Sequence, residues 1–193
     1  MKIVGVGCGP GMLTEVAIAA IEGAALVYGS DRAIEIARPH FSASCSVKTI
    51  DDYKALRNLT GDFVVLSTGD PMLAGLGYLD GEVIPGISSL QIAAARLRLP
   101  LGRAAIVVAH GTGHDMAIRE TREELSRKKI VFMLTDPKFD VSMLYDELAR
   151  VSGPVRISVC ENLGYPEERI VTGPLSSPPR PETGLYVLVI GNF

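Results

Sequence analysis

The feature that most constrains the fold is a regular alternation of short apolar segments with helical patterns in the first half of the chain. Residues 3–6 have the composition of a buried strand, and Thr14 caps a helix of 3.6-residue apolar period that ends at Gly23. The alternation continues with strands at 24–28, 63–66 and 83–84. Helical patterns occupy residues 31–38 and 50–59, the second capped by Asp51 or Asp52, and a further helix runs from a cap at Ser88 or Ser89 to Leu97. This alternation predicts a largely parallel α/β sheet.

The pattern changes after a Pro- and Gly-bearing hinge at residues 99–102. We predict a domain boundary there, with an N-terminal α/β domain at residues 1–101 and a C-terminal α/β domain at residues 102–193. The second domain has predicted strands at 105–108, 130–134, 155–159, 169–171 and 185–190, and predicted helices at 115–126 (with a Glu123–Arg127 pair) and 140–150. Its last three strands follow one another without long helical crossovers, which predicts a mixed or antiparallel sheet.

Composition excludes several classes of partner. The 193 residues are 47% hydrophobic and carry a net charge of -3, so no chain-wide positive field attracts nucleic acid or an anionic membrane. The three cysteines form no Cys-x-x-Cys pair, and no window reaches the roughly 18 apolar residues of a membrane span. We therefore expect a cytoplasmic protein that binds neither nucleic acid nor membrane and meets any anionic ligand with local arginines.

The glycine-rich segment GVGCGPG, residues 5–11, invites a nucleotide-binding interpretation. It fails as a dinucleotide fingerprint because Met12 stands where the third glycine belongs. No acidic residue ends the second strand, where Tyr28-Gly29 stands. A tight strand-to-helix turn is the simpler explanation, although Pro10 also exposes a rigid apolar corner.

A second corner, Gly69-Asp70-Pro71, ends a strand that the pattern places at the centre of the sheet. Asp70 is either the N-cap of a short helix that Pro71 opens or part of a binding site, since ligands of open α/β sheets collect at the carboxyl ends of strands. Pro85-Gly86 ends the next strand. The sequence therefore predicts that the corners at Pro10, Asp70 and Pro85 converge on one rim.

The segments VGVGCGPG, LSTGDPMLAG, VIPGISSLQIAAARL, VVAHG and VCENLGYPEERI, in this order, span the whole chain. In these segments the chain resembles the tetrapyrrole methylase family, the class III methyltransferases. Within that family it is most similar to the C-5 methyltransferases that act on cobalt-precorrin or precorrin in cobalamin biosynthesis.

The resemblance implies two α/β domains with S-adenosylmethionine in a cleft between them and S-adenosylhomocysteine as product. The matching cofactor-binding residues are Pro10, Gly69, Asp70, Leu73, Ser88 and Ser89 in the first domain, and Leu134, Thr135 and Leu163 in the second. Apolar Leu73 and Leu163 suit an adenine or a thioether. The resemblance also implies a tetrapyrrole substrate, a homodimer, and a C-15 methyltransferase/decarboxylase as a possible partner.

His110 is the only catalytic candidate, and a weak one. His110 and His114 stand at a metal-pair spacing, but Gly111 and Gly113 disfavour the helix that such a pair needs, so we predict no metal site. The C-5 enzymes usually carry an arginine soon after this His-Gly, which is absent here. His110 is either a polar loop residue or a group that accepts a proton or binds a substrate carboxylate.

Methyl transfer to an electron-rich ring carbon needs alignment more than a catalytic constellation, and the sequence offers no such constellation. Candidate partners for substrate carboxylates are Arg96, Arg98, Arg103 and Arg119, each of which is equally explained as a solvated charge. Two alternatives remain open. One is a methyltransferase of the same fold that acts on diphthine or ribosomal RNA, and the other is a noncatalytic corrinoid-binding partner of a C-15 enzyme.

Overall fold

Two five-stranded sheets organise the chain, one in each half. The structure, a computed structural model, describes residues 1–111, 113–151 and 153–193. It divides into two compact units, Met1–Ser89 and Leu90–Phe193. This division falls after Ser89, the first residue of the helix Ser89–Leu97, whereas the hinge at residues 99–102 follows that helix. The domain boundary after residue 101 stays a prediction.

The first unit is built on a parallel sheet. Its strands are β1 (Lys2–Gly5), β2 (Leu26–Gly29), β3 (Ser46–Thr49), β4 (Val64–Ser67) and β5 (Glu82–Ile84), and its helices are α1 (Glu15–Glu22) and α2 (Asp31–Ala37). The strand order is β3-β2-β4-β1-β5, and every pair is parallel. The parallel sheet and the central place of β4 confirm the prediction from the sequence.

Both helices of this unit begin where a side chain caps them. Thr14 Oγ1 accepts the Ala17 N–H at 3.1 Å, and Ser30 Oγ accepts the Ala33 N–H at 3.3 Å. Such a cap satisfies one of the N–H groups that the first turn of a helix leaves without a partner. Because the interaction lies within four residues, the sequence alone locates these helix starts.

The predicted helix at residues 50–59 is wrong. The segment contains only a short 3₁₀ helix, Ala55–Asn58, and the chain before it forms strand β3. Asp52 Oδ1 accepts the Lys54 N–H at 2.8 Å in a local turn that competes with helix formation. The buried side chains of Ile50 and Leu56 instead pack in one cluster with apolar residues of the sheet.

The second unit has a mixed sheet, as predicted. Its helices are α3 (Ser89–Leu97), α4 (His114–Ser126) and α5 (Val141–Leu148), and its strands are β6 (Ala104–Ala109), β7 (Ile130–Thr135), β8 (Arg156–Glu161), β9 (Arg169–Pro174) and β10 (Tyr186–Gly191). The order is β6-β7-β10-β8-β9, in which only β6 and β7 are parallel. The core includes Met133, Leu144 and Leu188, so α5 covers one face of the sheet.

One predicted ion pair takes a different partner. Arg127 pairs with Glu124 and not with Glu123, whose carbonyl accepts the Arg127 N–H at 3.2 Å. Arg127 lies just beyond the end of α4, so a pairing three residues back is the geometry that forms. Among residues 1–111, 113–151 and 153–193, no helix is both long enough and apolar enough to cross a membrane.

Candidate functional site

The loops after β1 and β4 meet at the carboxyl edge of the parallel sheet. Gly7 N–H donates to the Gly69 carbonyl at 3.3 Å, and Gly69 N–H donates to the Gly7 carbonyl at 2.7 Å. After β1 and β2 the chain continues into α1 and α2, which pack on their preceding strands. After β4 it continues instead into Leu76 and Leu79, which pack in the cluster of Ile3 and Val65. Adjacent loops that lead to opposite faces of a parallel sheet create the crevice in which such sheets bind ligands.

Three glycine backbones approach one another at this edge more closely than any side chain allows. A Cβ on Gly86 would lie 2.2 Å from the Gly69 carbonyl oxygen, and one on Gly5 would lie 2.5 Å from the Gly86 nitrogen. Gly69 has a φ of +69°, which favours glycine. The nearest atom to a Cβ at Gly69 is Ser88 Cα at 3.8 Å, so the Cα of Gly69 borders space that a ligand can enter.

Asp70 links its own corner to the Pro85-Gly86 corner through hydrogen bonds. Its Oδ1 accepts the Met72 N–H at 2.8 Å, and its Oδ2 accepts the Gly86 N–H at 3.1 Å. The predicted convergence of the Asp70 and Pro85 corners is therefore confirmed. The short helix predicted to follow Pro71 is wrong, because residues 71–80 form turns and bends, and Asp70 therefore caps a turn.

The remaining first-unit residues predicted to bind the cofactor occupy loops after the same strands. Leu73, whose N–H donates to the Asp70 carbonyl at 3.1 Å, is half-buried, while Pro10 is exposed. Ser88 is 3% exposed, and Ser89 is the first residue of α3. The fold places these residues after the carboxyl ends of β1, β4 and β5.

In the second unit, His110 and Thr135 are joined at the ends of β6 and β7. Nε2 of His110 donates to the Thr135 carbonyl at 3.0 Å, which fixes a proton on Nε2 because a carbonyl only accepts. The Thr135 hydroxyl donates to the Tyr186 carbonyl at 2.8 Å. Thr135 is buried, and its polar groups tie β7 to both neighbours, while the adjacent Leu134 is half-buried.

Asp136, which the sequence analysis missed, binds the two loops to each other. Its carboxylate accepts the N–H groups of Gly111 and Lys138, each at 2.7 Å, and His114 Nε2 at 3.2 Å. Burial acts to raise the pKa of Asp136, but these hydrogen bonds outweigh it and lower the pKa to about 2. His114 is therefore the partner of a carboxylate. Among the described residues, no three His, Cys, Asp or Glu side chains form a group that suits a metal ion.

Leu163 follows β8 and is 5% exposed. Because β10 is antiparallel to both β7 and β8, the ends of β7 and β8 lie at the same edge of the sheet. Asn162 N–H donates to the Leu185 carbonyl at 3.0 Å, next to the Tyr186 that Thr135 binds. The fold thus brings the predicted residues Leu134, Thr135 and Leu163, together with His110, to one edge of the second sheet.

A fully buried carboxylate, also missed, anchors this edge. Glu161 is 0% exposed and accepts the N–H groups of Glu182 and Thr183, each at 2.6 Å, as well as a charged hydrogen bond from Arg169. Burial opposes ionisation, but the hydrogen bonds hold the pKa of Glu161 below its usual range. The sequence signal was an acidic residue at the end of an apolar strand, with Arg169 eight residues on.

Two of the four predicted substrate arginines are engaged within the second unit. Arg96 pairs with Glu168 at 2.5 Å, and Arg103 donates to the Asn192 carbonyl at 3.4 Å. Arg98 and Arg119 are exposed. A role in substrate binding stays a prediction for all four.

A sequence model of the family described as Tetrapyrrole (Corrin/Porphyrin) Methylases matches residues 2–179. The chain belongs to this family. It is 32% identical to a probable cobalt-precorrin-7 C(5)-methyltransferase from Methanocaldococcus jannaschii, over 86% of this chain and 85% of that one. The family resemblance seen in the sequence, and the α/β fold it implied, are confirmed.

Solved structures agree with this membership. The crystal structure of a precorrin-6Y methylase of cobalamin biosynthesis from Archaeoglobus fulgidus is 30% identical, with a TM-score of 0.77 over 100% of this chain and 98% of that one. A uroporphyrin-III C-methyltransferase from Thermus thermophilus, solved in complex with S-adenosylhomocysteine, shares the fold with 22% identity, a TM-score of 0.70, and coverage of 98% and 96% of the two chains.

Proposed function

We propose that this methylase transfers a methyl group from S-adenosylmethionine to C-5 of a cobalt-precorrin in cobalamin biosynthesis. The observation that carries the proposal is the glycine corner at Gly5, Gly69 and Gly86, built where a parallel sheet binds ligands. The name of the Methanocaldococcus relative supplies the acceptor and its position. No observation favours an RNA or diphthine acceptor, or a noncatalytic role.

The residues at the corner fit such a cofactor. When bound, S-adenosylmethionine supplies an electrophilic methyl group on a positively charged sulfur. The open space at Gly69 admits a ligand to main-chain groups, and the Asp70 carboxylate gives this edge a negative charge that favours a cationic one. We propose that Pro10, Gly69, Asp70, Leu73, Ser88 and Ser89 of the first unit, and Leu134, Thr135 and Leu163 of the second, bind it.

The described side chains support catalysis by alignment. The Cys160 thiol is a poor nucleophile because burial, together with Glu168 and Glu161, raises its pKa to about 12. Nε2 of His110 already donates to a carbonyl, so only Nδ1 of that ring remains to accept a proton. Holding the acceptor carbon in line and excluding water is the contribution that the proposal assigns to the protein.

The proposal also includes the finer expectations from the sequence and from the family resemblance. We infer a homodimer in the cytoplasm, with a tetrapyrrole as substrate and a C-15 methyltransferase/decarboxylase as a possible partner. Size-exclusion chromatography with light scattering measures the first of these directly.

The test is calorimetric titration with S-adenosylhomocysteine of the wild type, Asp70→Asn and the control Asp80→Asn, an exposed carboxylate of the same unit. We expect micromolar binding by the wild type and the control, and roughly tenfold weaker binding by Asp70→Asn, equivalent to about 1.4 kcal/mol. A circular dichroism melt shows whether the variant is folded. Absence of heat and of thermal stabilisation at millimolar ligand contradicts the proposal.

A further inference from the structure

One arginine that the sequence analysis passed over lies beside the glycine corner. Arg32 is exposed in the first turn of α2, and its Nη2 donates to the Thr68 hydroxyl at 3.0 Å. Thr68 stands between the last residue of β4 and Gly69. The Arg32 guanidinium is therefore hydrogen-bonded to Thr68, the residue immediately before Gly69, which is proposed to bind the cofactor.

The topology of the sheet places Arg32 at a crevice. β2 and β4 are neighbours in the sheet, and α2 packs on β2, while the chain after β4 leads to Leu76 and Leu79 on the other face. The hydrogen bond from Arg32 to Thr68 spans these diverging loops. A ligand at this edge would meet Arg32 on the side of β2 and Gly69 on the side of β4.

The charge of Arg32 has no counterpart among the residues that the structure describes. The described ion pairs include those of Arg38 with Glu35 at 2.9 Å and Arg96 with Glu168, and none involves Arg32. The neighbouring Asp31 instead accepts the Thr49 hydroxyl at 3.2 Å. A guanidinium has five N–H donors, and Thr68 accepts only one, so a planar pair of donors remains for a carboxylate.

We propose that Arg32 binds a peripheral carboxylate of the corrinoid substrate and so orients the macrocycle beside Gly69. This inference rests on the proposed function. The acetate and propionate arms of a corrinoid are anionic, whereas the chain has a net charge of -3, so a local cation must recognise them. Asp31 and Asp70, two carboxylates of the same edge, both already accept hydrogen bonds from the protein.

The experiment measures binding of two stable probes, cobyrinic acid, whose arms are free carboxylates, and its fully methylated ester. The proteins are the wild type, Arg32→Ala, Arg32→Lys and the matched control Arg38→Ala. We expect Arg32→Ala to bind the acid about tenfold more weakly and the ester unchanged, the fold-change of one lost charged hydrogen bond. Arg32→Lys regains part of the affinity because the charge remains, and Arg38→Ala behaves as the wild type.

S-adenosylhomocysteine affinity, measured on the same proteins, distinguishes a failure of the Arg32 inference from a failure of the proposed function. Unchanged S-adenosylhomocysteine binding by Arg32→Ala, together with weaker acid binding, supports the inference. A wild type that binds S-adenosylhomocysteine but prefers the acid no more than the ester overturns the inference alone, as does an Arg32→Ala variant with wild-type affinity for the acid. A wild type that binds no S-adenosylhomocysteine overturns the proposed function, and the inference with it.

Discussion

At the scale of single residues, the site depends on glycines, which have no Cβ and so let backbone segments approach one another closely. Gly86 is required because a Cβ there would lie 2.2 Å from the Gly69 carbonyl oxygen and 2.8 Å from the Gly5 carbonyl carbon, both of them backbone atoms. Backbone cannot move aside as a flexible side chain can. The three loops therefore lie so close together that only glycine, with a hydrogen in place of Cβ, fits at position 86.

We therefore expect Gly86→Ala to lower the free energy of unfolding by roughly 3 kcal/mol, at the upper end of overpacking costs. Gly102→Ala is the matched control, because a Cβ at Gly102 would have no atom within 4 Å, and its effect should stay within about 0.5 kcal/mol. Urea unfolding followed by circular dichroism measures both. Equal stability of the two variants would show that the corner relaxes at little cost.

Asp136 gives a pH-dependent contribution to stability whose sign follows from its pKa. The folded-state pKa of about 2 lies below the ordinary value of about 3.9, so the contribution is complete above about pH 4 and is lost as the pH falls toward 2. The stability difference between the wild type and Asp136→Asn should be on the order of 1 kcal/mol near neutral pH, a value that allows for solvent screening. Urea titrations from neutral pH to about pH 3 measure it, and a pH-independent difference contradicts the assignment.

At the scale of elements, a clasp joins α3 to the loop that carries Leu163. Arg96 of α3 pairs with Glu168, whose Oε2 also accepts the Gly164 N–H at 2.9 Å. Arg96→Ala should change the free energy of unfolding by less than about 1 kcal/mol, since Arg96 is half-exposed. Hydrogen exchange at the Gly164 amide should nevertheless accelerate several-fold, because Glu168 loses the partner that orients it. Arg98→Ala is the control, and unchanged exchange in both variants would exclude the clasp.

Elements that local interactions define were predictable from the sequence. Thr14 and Ser30 cap helices through hydrogen bonds to residues three positions later in the sequence. The Gly69-Asp70-Pro71 corner is recognisable because glycine, aspartate and proline are typical turn residues. Strand β3 escaped prediction because all four of its residues are exposed and supply no apolar pattern. The bonds of Arg32 to Thr68 and of Thr183 to Glu161 span 36 and 22 residues, and only the folded sheets bring these groups together.

At the scale of the whole molecule, cofactor binding and stability are linked. A ligand that binds only the folded state adds RT ln(1 + [L]/Kd) to the free energy of unfolding, about 2.7 kcal/mol at a hundredfold excess over Kd. The residues proposed to bind the cofactor belong to both compact units. Saturation with S-adenosylhomocysteine should therefore stabilise the sheet of each unit.

Hydrogen exchange of core amides measures this in both sheets at once, with Val4 and Leu66 reporting on the first and Val131 and Leu188 on the second, all four being buried. Exchange that proceeds by global unfolding should slow by about a hundredfold in both sets, which is the same 2.7 kcal/mol. Asp70→Asn, which we expect to bind about tenfold more weakly, should show only about tenfold protection at the same ligand concentration, because the ligand is then only about ten times its Kd. Protection confined to the first set would restrict the site to the residues around Gly69 and remove Leu134, Thr135 and Leu163 from it.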